Sequence, residues 1–113
     1  MDRPVLVYTT YPSLVEAEKA GRSLVEKGLA ACVNILPGMR SIYRWQGKVE
    51  QAEEAVMIVK TRDAQKEAVA TEVKRGHAYD TPAILFVATG GGDAEYIDWI
   101  LSESNGQPVS IKT

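Results

Sequence analysis

Apolar residues recur along the first quarter of this chain in two different periods, and each period predicts an element. Residues 4–10 are β-branched or aromatic and lie between two prolines, which favours a buried strand. Ser13 and Glu16 then have the spacing of a helical capping box, and Gly28 is placed to end the helix. Between them, helical spacing is kept by Leu14, Ala17, Ala20, Gly21, Leu24 and Val25.

Two extended runs follow, and they predict an unusually long β-hairpin over residues 29–61. The chain turns at Gln46-Gly47, and Pro37-Gly38 indicates a bulge because proline cannot donate to a sheet ladder. The outgoing run, residues 29–45, would span roughly 55 Å if it were straight, whereas an ordinary strand holds about five or six residues.

The rest of the chain predicts a helix, a strand and another helix. Asp63 is expected to cap a helix over residues 64–74 whose apolar stripe is Ala68, Val69 and Val73. A strand is predicted over 83–89, and three glycines break it before Asp93 caps the last helix. The buried stripe of that helix is expected at Tyr96, Ile97, Ile100 and Leu101. For the tail, residues 106–113, an edge strand and a loose end both stay open.

This order predicts a βαββαβ, ferredoxin-like α+β fold with a C-terminal helix. Right-handed crossovers would place the first two helices on one face of an antiparallel sheet. Helices of this length cover about 20 Å of strand, so the outer part of the hairpin would be uncovered. It nevertheless stays apolar at Ile42, Tyr43, Trp45, Val56, Met57 and Ile58. Exposed apolar patches indicate a partner, so a closed oligomer is expected, with two or three subunits both open.

Composition narrows the class of protein. The 113 residues are expected to form one domain, 1–113, and a net charge of −2 gives no electrostatic reason to bind nucleic acid or an anionic membrane. The single cysteine excludes an internal disulfide and fits a reducing compartment. We find no apolar run of about 20 residues and no signal-peptide pattern, so a cytoplasmic protein is expected.

Several motifs resemble the CutA family of divalent-cation tolerance proteins: Ala30-Ala-Cys-Val-Asn34, Tyr43-Arg-Trp-Gln-Gly-Lys48, Val59-Lys-Thr61 and His77-Ala-Tyr-Asp-Thr-Pro82. The match runs from about Val5 to Asn105. The resemblance implies a stable homotrimer similar to the PII signalling proteins, with hairpins that wrap around neighbouring subunits. It also implies a cytoplasmic role in copper and divalent-cation tolerance, without an established catalytic activity.

Cys32 and His77, the only cysteine and the only histidine, are the candidate metal ligands. Thiolate and imidazole suit copper or zinc better than magnesium or calcium. A closed site needs three or four ligands, so Glu53, Glu54, Asp80 or symmetry copies would have to complete it. As alternatives, Cys32 is a small core residue, and His77 caps carbonyls or pairs with Asp80. Some CutA proteins have further cysteine and histidine ligands where this chain has Thr9 and Gly76, so weak binding of copper or another divalent ion is expected.

A second group of residues predicts a cleft between subunits. Tyr43 and Trp45 share one face of the hairpin, and Lys60 lies near the end of the return strand. With Glu53, and with Tyr79 and Asp80 in the matching loop, they would line a pocket for a small anionic or planar ligand. The alternative is that the aromatic residues only anchor an interface.

An enzyme is not expected, because nothing in the sequence pairs a nucleophile with a base. The Gly90–Gly92 run is followed by Asp93 rather than by a phosphate-binding lysine, which favours a linker. An acylphosphatase-like hydrolase would need a glycine-rich cradle with an arginine, which the sequence lacks. Two hypotheses remain: a metal-tolerance trimer, and a PII-like sensor or scaffold that binds a small metabolite.

Overall fold

The computed structural model describes residues 2–109, and across them the chain forms a four-stranded antiparallel sheet with three α-helices. In chain order the elements are β1 (Pro4–Tyr11), α1 (Leu14–Glu26), β2 (Cys32–Trp45), β3 (Lys48–Arg62), α2 (Lys66–Arg75), β4 (Ile84–Ala88) and α3 (Ala94–Glu103). The strand order is β2-β3-β1-β4, with antiparallel pairing throughout. This confirms the predicted ferredoxin-like α+β arrangement.

The main core lies between one face of this sheet and the helices α1 and α2. Along β1 and β3 every second side chain points into it, as the pleat requires. Val7, Met57 and Val59 are fully buried there, against Leu24 of α1 and Val69 of α2. Helix α1 is capped as the sequence predicted. The Ser13 hydroxyl accepts from the amide of Glu16 at 3.3 Å.

Helix α3 lies on the opposite face of the sheet. Lys60 alternates with the buried Val59 along β3, so its side chain points away from the main core, and it donates to the Tyr96 hydroxyl of α3 at 2.8 Å. Ile100 is buried beneath α3, apart from the main cluster. Tyr96, which the sequence placed in the buried stripe of this helix, is 44% exposed because it lies at the helix edge above Lys60.

The hairpin contains the predicted bulge and the predicted turn. Leu36 pairs with Val56 and Met39 with Glu54, so β2 carries one extra residue at Pro37-Gly38. At the tip, Gln46 and Gly47 both have positive φ, at 50° and 77°, as a two-residue type I′ turn requires.

Beyond the bulge the hairpin leaves the rest of the sheet. Strand β1 pairs with β3 only from Ala55 to Arg62, so residues 39–54, which we term the distal ribbon, are two-stranded. Every side chain from 42 to 51 in this ribbon is exposed. An isolated two-stranded hairpin is marginally stable in water. Residues 42–51 of the ribbon therefore extend from the subunit without cover from its own chain.

Two predicted details differ in the structure. Asp63 does not cap α2; it begins a 3₁₀ turn, Asp63–Gln65, and accepts from Lys66 at 2.7 Å, while the Asp2 carboxylate accepts from the amide of Ala64. Strand β4 is shorter than predicted and pairs only with β1, so it forms a sheet edge.

The tail is tied to the end of α1. Gly28 has φ of +72°, and its carbonyl accepts from the amide of Gly106 at 2.8 Å, while Glu26 accepts from the amide of Val109. Residues 106–109 form no strand, and the rest of the tail lies outside the described residues. Within 2–109, no helix has the length and apolar character needed to cross a bilayer.

We predict that Gly21→Ala destabilises the protein, although alanine is the better helix former. A Cβ at Gly21 would lie 2.7 Å from Cγ2 of Val33 and 3.2 Å from Sδ of Met57. Overpacking of this kind costs about 1–3 kcal/mol, measured as a loss in free energy of unfolding at fixed protein concentration. Gly76→Ala is the matched control, since its Cβ would meet nothing within 4 Å. Equal stability of the two variants would contradict the packing described here.

Candidate functional site

The loop after α2 places His77 in an aromatic stack at the end of β1. Its ring lies 4.4 Å from that of Tyr11 at an interplanar angle of 20°, and 4.9 Å from that of Tyr79 on the other side. Tyr11 ends β1 and is buried, so the imidazole is held against the edge of the main core.

Both ring nitrogens of His77 are already engaged. Nδ1 accepts from the backbone N–H of Tyr79 at 3.0 Å, which leaves the proton on Nε2, and Nε2 donates to the carbonyl of Thr10 at 2.7 Å. The imidazole thus bonds a backbone carbonyl, as one of the two expected structural roles required, but that carbonyl belongs to β1 rather than to the end of α2. The ring nitrogens do not bond Asp80, the partner in the other expected role. A metal ion could bind either nitrogen only by replacing one of these hydrogen bonds.

Tyr79 connects the same loop to the base of the distal ribbon. Its hydroxyl donates to Oε2 of Glu54 at 2.9 Å. Burial, together with this hydrogen bond and the Glu54 charge, raises the pKa of Tyr79 to about 12. Burial and then the nearby Glu16 carboxylate raise the pKa of Tyr11 to about 12 as well. Both phenols therefore stay protonated well above neutral pH.

The structure brings together only part of the predicted cleft. Tyr43 lies close enough to Tyr79 to contribute to the raised pKa of that phenol, and Trp45 is 57% exposed at the ribbon tip. Glu53 pairs in register with Arg40, and both it and Asp80 are exposed.

Lys60 lies elsewhere in the subunit. It is six residues beyond Glu54 on β3, or about 20 Å along the strand, and it bonds Tyr96 of α3. That hydrogen bond raises the pKa of Lys60. Within one chain, Lys60 therefore does not share a pocket with Tyr79.

Cys32 lies beside Lys60 rather than beside His77. It is the first residue of β2, is half-buried, and is in register with Lys60 on the face opposite the main core. Thr10, which holds the imidazole, is in register with Val56, about 13 Å away along β3. Within residues 2–109 there is also no group of three or more His, Cys, Asp or Glu side chains that could hold a metal ion.

Sequence reasoning missed Tyr11 and the partnership of Tyr79 with Glu54. In the sequence, Tyr11 is only the last residue of a strand before Pro12. Its stacking on His77 depends on the loop after α2 folding back onto β1. Strand alternation did predict correctly that Tyr43 and Trp45 share a face.

The fold and site together define a class: a small ferredoxin-like subunit with an over-long hairpin and an aromatic loop folded against the hairpin base. The model of the family "CutA1 divalent ion tolerance protein" matches residues 5–103. This chain belongs to that family of divalent-cation tolerance proteins.

Individual relatives support the assignment. A divalent-cation tolerance protein CutA from Archaeoglobus fulgidus is 49% identical over 94 residues, which cover 83% of this chain and 91% of that protein. One from Pectobacterium atrosepticum is 42% identical over 103 residues, covering 88% of this chain and 94% of that protein. The chain spans 53% of the length of the chloroplastic CutA of Arabidopsis thaliana, with 38% identity over 85% of this chain.

Solved structures agree with the fold. The crystal structure of the periplasmic divalent cation tolerance protein CutA from Archaeoglobus fulgidus superimposes with a TM-score of 0.87 and 45% identity. The match covers 90% of this chain and 99% of that chain.

We predict that the protein loses stability as the pH rises above 10. A tyrosine in the unfolded chain loses its proton near pH 10, whereas Tyr11 and Tyr79 keep theirs to about pH 12 in the folded protein. Above pH 10 the unfolded state binds fewer protons, so the free energy of unfolding falls. Denaturant titrations across this range measure the loss.

The tyrosines can also be followed directly by the ultraviolet absorbance of phenolate. Of the five tyrosines, two should titrate near pH 12, and the double variant Tyr11→Phe/Tyr79→Phe should remove that late step. A native titration that is complete by about pH 11 would contradict the prediction.

Proposed function

We propose that the protein is a cytoplasmic homotrimer that binds copper or another divalent metal ion weakly, at sites completed between subunits. In this proposal it contributes to metal tolerance by binding the ion and not by catalysis. The observation that carries the proposal is the two-stranded distal ribbon, because its side chains from 42 to 51 have no cover within the chain.

The ribbon favours assembly for a simple energetic reason. Ile42, Trp45 and Val49 are 71%, 57% and 74% exposed. Covering such side chains on a second copy contributes about 25 cal/mol for each Å² of apolar surface removed from water. Closed symmetry lets every ribbon find the same cover, and three copies agree with the resemblance stated above.

The separation of the two soft donors favours a shared metal site. Cys32 and His77 lie on different parts of one subunit, and each would need ligands from another chain to reach three or four. A thiolate together with an imidazole selects copper or zinc. Binding would be weak at His77 because the ion must first displace a hydrogen bond from the ring.

We predict that Ile42→Asp breaks the assembly, since it would bury an unpaired carboxylate wherever the ribbon is covered. Analytical ultracentrifugation would measure a shift from trimer to smaller species. Val15→Asp is the matched control. The Val15 side chain is 73% exposed, nearly the same fraction as that of Ile42. It lies instead in the first turn of α1, where a negative charge is favourable. An Ile42→Asp protein that sediments as the parent would contradict the role given to the ribbon.

Metal binding is tested by calorimetric titration with Cu(II). We expect the heat of binding to fall in both Cys32→Ser and His77→Asn, because each removes one nitrogen or sulfur donor. Glu18→Gln on the exposed side of α1 serves as the control. If both donor variants gave the parent isotherm, Cys32 and His77 would not be the ligands.

A second candidate function is a PII-like sensor or scaffold whose inter-subunit cleft binds a small metabolite. Its support is the hydrogen bond between Tyr79 and Glu54 at the base of the ribbon, with Tyr43 and the exposed Trp45 further along the ribbon. Adenosine monophosphate, a planar anion, is a suitable probe. In a Trp99→Phe background it should protect Trp45 fluorescence from acrylamide in metal-free buffer; unchanged quenching would argue against this candidate.

A further inference from the structure

A groove of about 420 Å³ lies between α1 and α2 and adjoins the site described above at Tyr11. Its lining includes the apolar side chains Ala20, Leu24 and Val73. Tyr11, Glu16 and Gly76 also line it. The volume is in the range of small-molecule sites, which combine an apolar floor with a few polar groups.

The hydroxyl of Tyr11 is the unusual group in this groove. Tyr11 is only 2% exposed, yet its hydroxyl has no hydrogen-bond partner within residues 2–109. A buried polar group without a partner costs about 1–3 kcal/mol, and such groups are rare in folded proteins. Because the ring itself is fixed by stacking on His77, the hydroxyl keeps its place whether or not a partner is present.

Of the four charged side chains that line the groove, Glu72 and Arg75 form an ion pair, whereas Glu16 and Lys19 form none within the described residues. Glu72 accepts from both Lys27 and Arg75 at 2.5 Å. The Glu16 carboxylate accepts from the Ser13 hydroxyl at 3.1 Å. A carboxylate and an ammonium without ion-pair partners in the described residues therefore lie about 5–6 Å apart at their Cβ atoms, on neighbouring turns of α1.

We propose that this groove binds a small zwitterion, such as a free amino acid, with its carboxylate at the Tyr11 hydroxyl and Lys19 and its amine at Glu16. The groove lining carries two acids and two bases, so its net charge is zero and suits a ligand of zero net charge. A simple anion would be opposed by Glu16 and Glu72, and a simple cation by Lys19 and Arg75.

The protonation of Tyr11 supports this orientation. Because the pKa of Tyr11 is raised to about 12, its hydroxyl keeps a proton to donate at neutral pH. A hydrogen bond from a neutral donor to a carboxylate is stronger than one between neutral groups. The ligand would thus supply the acceptor that the folded chain does not.

Occupancy of the groove can be followed without a label. Tyr11 stacks on His77, and His77 is the only histidine, so the ring-proton resonances of one imidazole report on the groove. Glycine, L-alanine, L-glutamate and L-lysine are each added alone to the whole protein, with acetate and ethylamine as singly charged controls. We expect at least one of the amino acids to shift the His77 resonances in a saturable way, and the two controls not to.

Three variants test the contacts. Tyr11→Phe removes one hydroxyl and keeps the stacked ring, so it should weaken binding about three- to tenfold, the loss of one hydrogen bond. Lys19→Gln should weaken binding as well, and Lys74→Gln, the same change on an α2 residue outside the groove, should leave it unchanged. Without ligand, Tyr11→Phe should be at least as stable as the parent, because the hydroxyl bonds nothing.

Three results would overturn the proposal. One is that no amino acid shifts the His77 resonances. Another is that Tyr11→Phe binds as the parent does. The third is that Tyr11→Phe is clearly less stable without ligand, which would give the hydroxyl a role in the fold.

Discussion

The shortage of neighbours for the distal ribbon is the constraint on which the rest of the structure depends. A sheet can shelter side chains only where a helix or another strand lies against it, and β1 leaves β3 at Ala55. Beyond that point each strand of the ribbon has one partner and two open faces. The subunit thus joins a conventional core, closed by α1 and α2, to a surface that its own chain cannot cover.

The loop around His77 is placed where these two parts meet. It bonds the end of β1 through the Thr10 carbonyl and reaches the ribbon base through Tyr79 and Glu54. An imidazole with both nitrogens in hydrogen bonds is first a structural element. Any ligand chemistry at this position must therefore compete with the loop's own geometry, which explains why a histidine in a family motif does not by itself make a preformed metal centre.

The sequence predicted the fold well because its signals are local. The caps at Ser13 and Asp93, the bulge at Pro37-Gly38 and the turn at Gln46-Gly47 are each written in a few adjacent residues, and the structure confirms all four. Asp63 failed as a cap because the distant Asp2 carboxylate bonds the Ala64 amide instead. The site was harder to predict. Tyr11 contacts His77 although the two are 66 positions apart in the chain. Lys60 bonds Tyr96 and lies far from Tyr79. Such contacts between distant residues depend on the folded topology and are not visible in short motifs.

The bulge at Pro37-Gly38 also changes which residues of β2 lie on each face of the hairpin. Before it, odd-numbered residues of β2 such as Val33 pair with the core-facing Val59; after it, odd-numbered residues such as Tyr43 pair with the even-numbered Glu50. One inserted residue in β2 thus changes whether odd- or even-numbered residues of β2 lie on a given face, while β3 continues without interruption. Each ribbon residue of β2 faces the same side as its β3 partner, so the side on which Tyr43 and Trp45 lie is set by the alternation of β3. A chain one residue shorter at this dipeptide would keep Met39 opposite Glu54 and leave the two aromatic side chains on the same face.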